Sequence, residues 1–251
     1  MHYNFKYLFF LLAYLSTFLV DETTINTNPL STKYQFYPEL LNNIGGQART
    51  HIEELSLEDN ILEAFSFYDL KYNENDKQKV WDTYKTERTL EKFEELLKEA
   101  YPGKILAQSE WIWNNVGGIH ARLKVLYCST NEYLVLFGTQ DFQDGFSGVY
   151  PFMDVWDIML TGKMESYNAN ARESYPKTYK PGDTSLLKRN ESRRYSMQNL
   201  SYMIDYGRGS IWRGFWPGIV APYLFQNYDT HSTYIQIKDC IRSVWQNLGR
   251  S

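Results

Sequence analysis

NEYLVLFG (131–138) and LSYMIDYG (200–207) are the two stretches on which the fold turns. In the first, Tyr133, Val135 and Phe137 alternate with Leu134 and Leu136; in the second, Ser201, Met203 and Asp205 share one face. A two-residue period is that of a β-strand. Around them Gly117-Gly118, Asp144-Gly145 and Pro181-Gly182-Asp183 punctuate a series of short strands. The reading from Glu110 onward is therefore mainly β, with helices at both ends.

Upstream, Leu90, Phe93, Leu97 and Ala100 recur at helical spacing, and Pro102-Gly103 ends the helix. Residues 21–85 are polar and Asn/Thr/Tyr-rich, with one amphipathic helix on Leu55, Leu57, Ile61, Leu62 and Phe65. KYNENDKQK (71–79) reads as a solvated linker. Downstream, GFWPGIVAPYLF (214–225) is apolar almost all round, and Tyr234, Ile237, Ile241, Val244, Trp245 and Leu248 form a helical stripe flanked by Lys238, Arg242 and Arg250. That pattern suits a helix on a bilayer surface, and equally one covering a face of the β core.

The first twenty residues hold the apolar run YLFFLLAYLSTFLV (7–20), with Lys6 before it and Asp21 and Glu22 after it. No small-residue cleavage site follows, so an uncleaved signal-anchor is expected, with a cleaved signal peptide and a buried core helix as alternatives. The flanking charges favour a cytosolic N-terminus and a lumenal body. Over 251 residues the formal charge is −4, which leaves no electrostatic footprint for nucleic acid. Four scattered histidines and two cysteines give no metal-binding spacing, so no metal is expected. Cys128 and Cys240 are read as free thiols, and of two glycosylation sequons Asn190 is preferred over Asn199, which begins a strand.

Two acidic positions stand out. Asp205 interrupts an apolar strand, where aspartate is depleted. Asp154 and Asp157 lie in VYPFMDVWDIML (149–160), three apart and on one face if that segment is helical. A carboxylate among such rings has a raised pKa, and two sharing a site titrate as a pair. Pairing of Asp205 with Arg208, and solvation of Asp154 and Asp157, is the plainer alternative.

The pieces WIWNNVGG (111–118), NEYLVLFGT (131–139), SGVY (147–150), DVWDIMLTG (154–162), PGDT (181–184) and MIDYGRG (203–209), following Pro102-Gly103, come in an order that resembles the family uniting fungal Δ8–Δ7 sterol isomerase with the animal sigma receptor. The resemblance covers about residues 110–250 and implies a cupin-like β-barrel on an N-terminal membrane helix. It also implies C-terminal helices against the membrane, trimeric subunits, and residence in the endoplasmic reticulum membrane with the body in the lumen. The chain then divides into a signal-anchor (1–20), a polar extension without family counterpart (21–85), a helix plus barrel (86–213) and C-terminal amphipathic helices (214–251).

Carried over by position, Asp157 matches the family's buried aspartate and Asp205 its second acid, while Tyr133 matches the tyrosine bonding the first acid. Trp111, Phe137, Met197, Tyr202 and Phe215 fall where the family lines its cavity. The second acid is usually glutamate, and the family's Gly-His-(Ser/Thr)-Gly-Arg run is here Gly145-Phe146-Ser147-Gly148-Val149. Ile211-Trp212 replaces the family's Ile-Pro, and Met197 replaces its tryptophan.

The implied chemistry is a double-bond shift through a carbocation, with an acid and a base and no cofactor. The alternatives are a non-catalytic binder of sterols or lipophilic amines, and a structural subunit with a lost pocket. In that last case residues 21–85 dock on a larger membrane assembly.

Overall fold

The computed structural model describes residues 34–168, 175–220 and 228–248. The expected anchor at 1–20 lies outside them. Among the described residues no helix is long and apolar enough to cross a membrane.

Among the described residues ten strands form two antiparallel sheets. The larger runs β1 (Trp111–Asn114), β2 (Ala121–Cys128), β3 (Glu132–Thr139), β10 (Ser201–Gly209), β5 (Met153–Thr161) and β8 (Thr184–Leu187), in the spatial order β1-β2-β3-β10-β5-β8. The smaller runs β4 (Gln143–Phe146), β9 (Arg194–Met197), β6 (Met164–Tyr167) and β7 (Lys177–Tyr179), in that order. DVWDIML is thus a strand. Asp154 and Asp157 fall on opposite faces of it, not on one helical face; Asp154 accepts from the Arg189 backbone N–H at 2.9 Å.

The alternation in β3 and β10 sorts their side chains into two cores. Leu134 and Leu136, with Tyr202, Ile204 and Tyr206, pack under helices α1 (Pro38–Glu53) and α3 (Lys77–Ala100), which contribute Leu41, Ile44, Ala48, Leu90, Phe93 and Leu97. Gly45 lets α1 close on β5, since a Cβ there would stand 2.8 Å from Leu160. Val135, Phe137 and Met203 face the other way, into a cluster with Met164, Tyr195 and Met197 of the smaller sheet. Helix α2 (Leu57–Phe67) packs Ile61, Ala64 and Phe65 on Val80, Trp81 and Tyr84 of α3. α3 opens at Lys77, inside the stretch read as a linker, and runs on without a break through residue 85.

After the short helix α4 (Ile211–Phe215), α5 (Thr230–Leu248) lies on β1 and β2. Its covering face is mostly small and polar: Ser232, Gln236, Asp239, Cys240 and Ser243 are buried, with Ile235. The Ser243 hydroxyl accepts from the Cys128 backbone N–H at 2.8 Å. Tyr234, Ile241 and Trp245 of the apolar stripe are instead exposed. Cys128 and Cys240 are not free: they form a disulfide, with Cα atoms 5.0 Å apart, tying α5 to β2. Asn199 is exposed in the turn before β10, as Asn190 is in its own turn, so burial does not separate the two sequons.

Candidate functional site

The registers of β8, β5, β10 and β3 place Ser185, Asp157, Asp205 and Val135 in one row across four strands. Directly opposed residues of an antiparallel pair have Cα atoms about 4.5–5.5 Å apart. Two carboxylates distant in the chain therefore project side by side between the sheets. They open on a cavity of ≈ 130 Å³ whose wall includes Leu123, Val125, Val135, Phe137, Met203 and Ile219. The space between the sheets is not filled.

The two acids have different partners. Asp157, 5% exposed, accepts from the Nη2 of Arg193, whose Nη1 donates to Ser185 Oγ. Arg193 precedes β9 and is held by Ser147: its backbone N–H donates to Ser147 Oγ at 2.9 Å, and its carbonyl accepts from the Ser147 N–H at 2.9 Å. Asp205 accepts instead from the Tyr133 hydroxyl at 2.8 Å. The expectation that Tyr133 serves Asp157 is corrected here, because β3 pairs with β10 and not with β5. Gly207, opposite Tyr133, makes the reach possible. A Cβ there would lie 2.1 Å from the tyrosine ring, which crosses the strand at that point. Asp205 faces the cavity, whereas Arg208, three residues on and on the opposite face of β10, donates to Tyr206 Oη at 2.6 Å and to the Phe36 carbonyl at 2.5 Å.

Burial pushes the Asp205 carboxyl up to about 8, with the charge of Asp157 adding to the rise against the Tyr133 hydrogen bond and Arg193. Burial raises Asp157 too, but the guanidinium beside it favours its charged form. The two carboxyls titrate as a pair, in which Asp205 holds a proton the more firmly and the guanidinium favours the charged form of Asp157. Burial first, and the neighbouring carboxylates after it, keep the Tyr133 and Tyr195 hydroxyls far above their ordinary range, so both stay protonated.

Of the expected cavity residues, Phe137 lines the wall. Trp111 and Tyr202 do not: they pack on the helix-covered side, their rings 6.0 Å apart edge to face, with the Arg122 guanidinium 4.5 Å from the Trp111 centroid. Met197 is fully buried between the sheets but off the wall. Phe215 lies in α4, and its side chain is outside the described set. Arg193, Tyr150 and Tyr195 line the cavity and were not anticipated. A signal for Arg193 exists: Arg193, Tyr195 and Met197 alternate with Arg194 and Ser196, and the first three are the buried set.

A mainly β body that sets an acidic pair in an apolar cavity matches a defined class. The family model for ERG2 and Sigma1 receptor like proteins matches residues 8–251, and the chain belongs to that family. Its relatives include both branches. "Protein erg2 homolog" of Dictyostelium discoideum is 35% identical over 124 residues, 48% of this chain and 52% of that one. "C-8 sterol isomerase ERG2" of Gibberella zeae is 28% identical over 152 residues, 60% and 63%. "Sigma non-opioid intracellular receptor 1" of Danio rerio is 32% identical over 117 residues, 46% and 51%. The chain spans about half to two thirds of the length of these relatives. Among solved structures, an RmlC-like cupin from Shewanella frigidimarina is similar with a TM-score of 0.34 and 11% identity, over 43% of this chain and 95% of that one. KdgF from Halomonas sp. is similar at 0.33 and 14%, over 40% and 87%.

Proposed function

We propose that the protein is a sterol isomerase that moves a ring double bond from Δ8 to Δ7 inside this cavity. The observation that carries the proposal is the in-register pair Asp157–Asp205, one carboxyl bonded by a guanidinium and the other by a tyrosine hydroxyl. Asp205 gives its proton to one carbon of the double bond, leaving a tertiary carbocation and an Asp205 carboxylate. That carboxylate stabilises the cation by its charge, and Asp157 takes the proton lost from the neighbouring ring carbon. Transfer of that proton from Asp157 to adjacent Asp205 restores the starting state. Tyr133 fixes the orientation of Asp205, and the apolar wall keeps water from the cation. The chemistry needs no cofactor.

A lumenal, membrane-associated body belongs to the same proposal. The Cys128–Cys240 bridge suits an oxidising compartment, and exposed Tyr234, Ile241 and Trp245 give α5 an apolar outer face for a bilayer. Trimer formation and residence in the endoplasmic reticulum rest on the family resemblance.

The test is expression in cells lacking the isomerase. Δ7 sterols should return, and Asp205→Ala should abolish their return. A second reading, ligand binding without turnover, is favoured by the Arg193–Asp157 ion pair, which weakens the base. Saturable ligand binding with no restoration of Δ7 sterols would select it.

A further inference from the structure

We propose that Arg193 sets the ligand specificity of the cavity: it occupies the anionic position beside Asp157 that a ligand ammonium would otherwise take, and it selects neutral apolar molecules carrying a carbonyl or hydroxyl oxygen. The inference rests on the reading of the cavity as a ligand site. Three charged side chains line the wall among the described residues, Asp157, Arg193 and Asp205. Arg193 is already bonded to Asp157, and burial holds Asp205, bonded by the Tyr133 hydroxyl, toward its neutral form, so the wall is poorly suited to receive a cation. An ammonium entering beside Asp157 would meet the fixed positive charge of Arg193, which cannot be lost by deprotonation.

The guanidinium also has a donor to spare. Nη1 is used by Ser185 and Nη2 by Asp157, while Nε is buried with no hydrogen-bond partner among the described residues. The side chain is 8% exposed. A buried N–H of a charged group is costly to leave unmatched, and only an acceptor satisfies it. An alkylammonium has none; a carbonyl or hydroxyl oxygen does. Gln236, another lining residue, also has its buried Oε1 without a hydrogen-bond partner among the described residues. An anionic ligand is disfavoured by Asp157 beside the guanidinium. The ligand chemistry left is a neutral, largely apolar skeleton with an oxygen at the Arg193 end.

The test uses the full chain in detergent and two probes of one carbon skeleton, a lipophilic N-alkyl piperidine and the matching N-acyl piperidine. The wild type is expected to bind the acyl compound tighter by roughly tenfold or more, the scale of one hydrogen bond to a charged group. Arg193→Met, which frees the Asp157 carboxylate, should invert the order. Arg193→Lys keeps the charge without Nε; it should weaken the acyl compound and leave the amine weak. If Arg193→Met does not fold, the wild-type ratio and Arg193→Lys still decide. An amine preference in the wild type, or a ratio unmoved by both variants, overturns the proposal while leaving the cavity a ligand site. Failure of both probes to bind overturns the ligand-site reading and this inference together.

Discussion

Asp157 and Asp205 stand opposite one another on β5 and β10, yet a guanidinium bonds only the first and a tyrosine hydroxyl only the second. Two identical side chains in one register row are thereby given different surroundings. The difference follows from strand order: β8 and the segment before β9 supply Ser185 and Arg193 on the Asp157 side, and β3 supplies Tyr133 on the Asp205 side.

Stability should fall as pH rises across the range over which Asp205 titrates. The unfolded aspartate titrates near pH 4, whereas burial holds Asp205 at about 8 in the folded protein. Between those values the folded state holds a proton that the unfolded chain has released, so this contribution is fully present below the lower value and lost through the higher one. Calorimetric Tm values at pH 6 and pH 9 should differ more in the wild type than in Asp205→Asn. Equal differences in the two proteins would contradict the assignment.

Removing Arg193 strands a buried carboxylate. Arg193→Met is expected to cost about 3–5 kcal/mol, as is usual when one partner of a buried ion pair is lost. Combining it with Asp157→Asn should recover much of that loss. Denaturant unfolding of the two single variants and the double variant measures the coupling, and simple additivity would mean the two side chains do not interact.

Gly207→Ala places a Cβ where the Tyr133 ring lies. The expected outcome is a loss of about 1–3 kcal/mol from overpacking, together with loss of the Tyr133–Asp205 hydrogen bond. Its effect on sterol conversion should match that of Tyr133→Phe. Normal conversion in Gly207→Ala would show that Tyr133 does not position the acid.

Reduction of Cys128–Cys240 should lower stability by about 2–4 kcal/mol, since the bridge closes a long loop. The residues are 112 apart in sequence. Melting with and without dithiothreitol, beside a Cys128→Ser/Cys240→Ser variant, checks this. Non-reducing peptide mapping of protein from cells tests whether the bridge forms in its own compartment.

Much of this was legible before the structure. The two-residue alternation puts Tyr133, Val135 and Phe137 on one face of 131–138 and Ser201, Met203 and Asp205 on one face of 200–207; all of these but Ser201 line the cavity. Tyr133 is attached to Asp157 by the family resemblance, and periodicity cannot correct that, because it says nothing of which strand neighbours which. Arg193 sits among Arg189, Glu191 and Arg194, and a charged run reads as solvent-facing unless its alternation with Tyr195 and Met197 is weighed above its charge. In α5 the usual pattern is reversed, because a helix with an apolar outer stripe seats its small and polar residues on the barrel. Cys128 and Cys240 read as free thiols because they lie in different elements, and nothing in the periodicity shows that α5 seats on β2.

The most direct test of the account is infrared difference spectroscopy of the carboxyl C=O band as pH is raised from 6 to 10. The account predicts one protonated buried carboxyl that loses its band near pH 8 in the wild type, with that band missing in Asp205→Asn and retained in Asp154→Asn. Absence of any protonated carboxyl above pH 6, or survival of the band in Asp205→Asn, would contradict it.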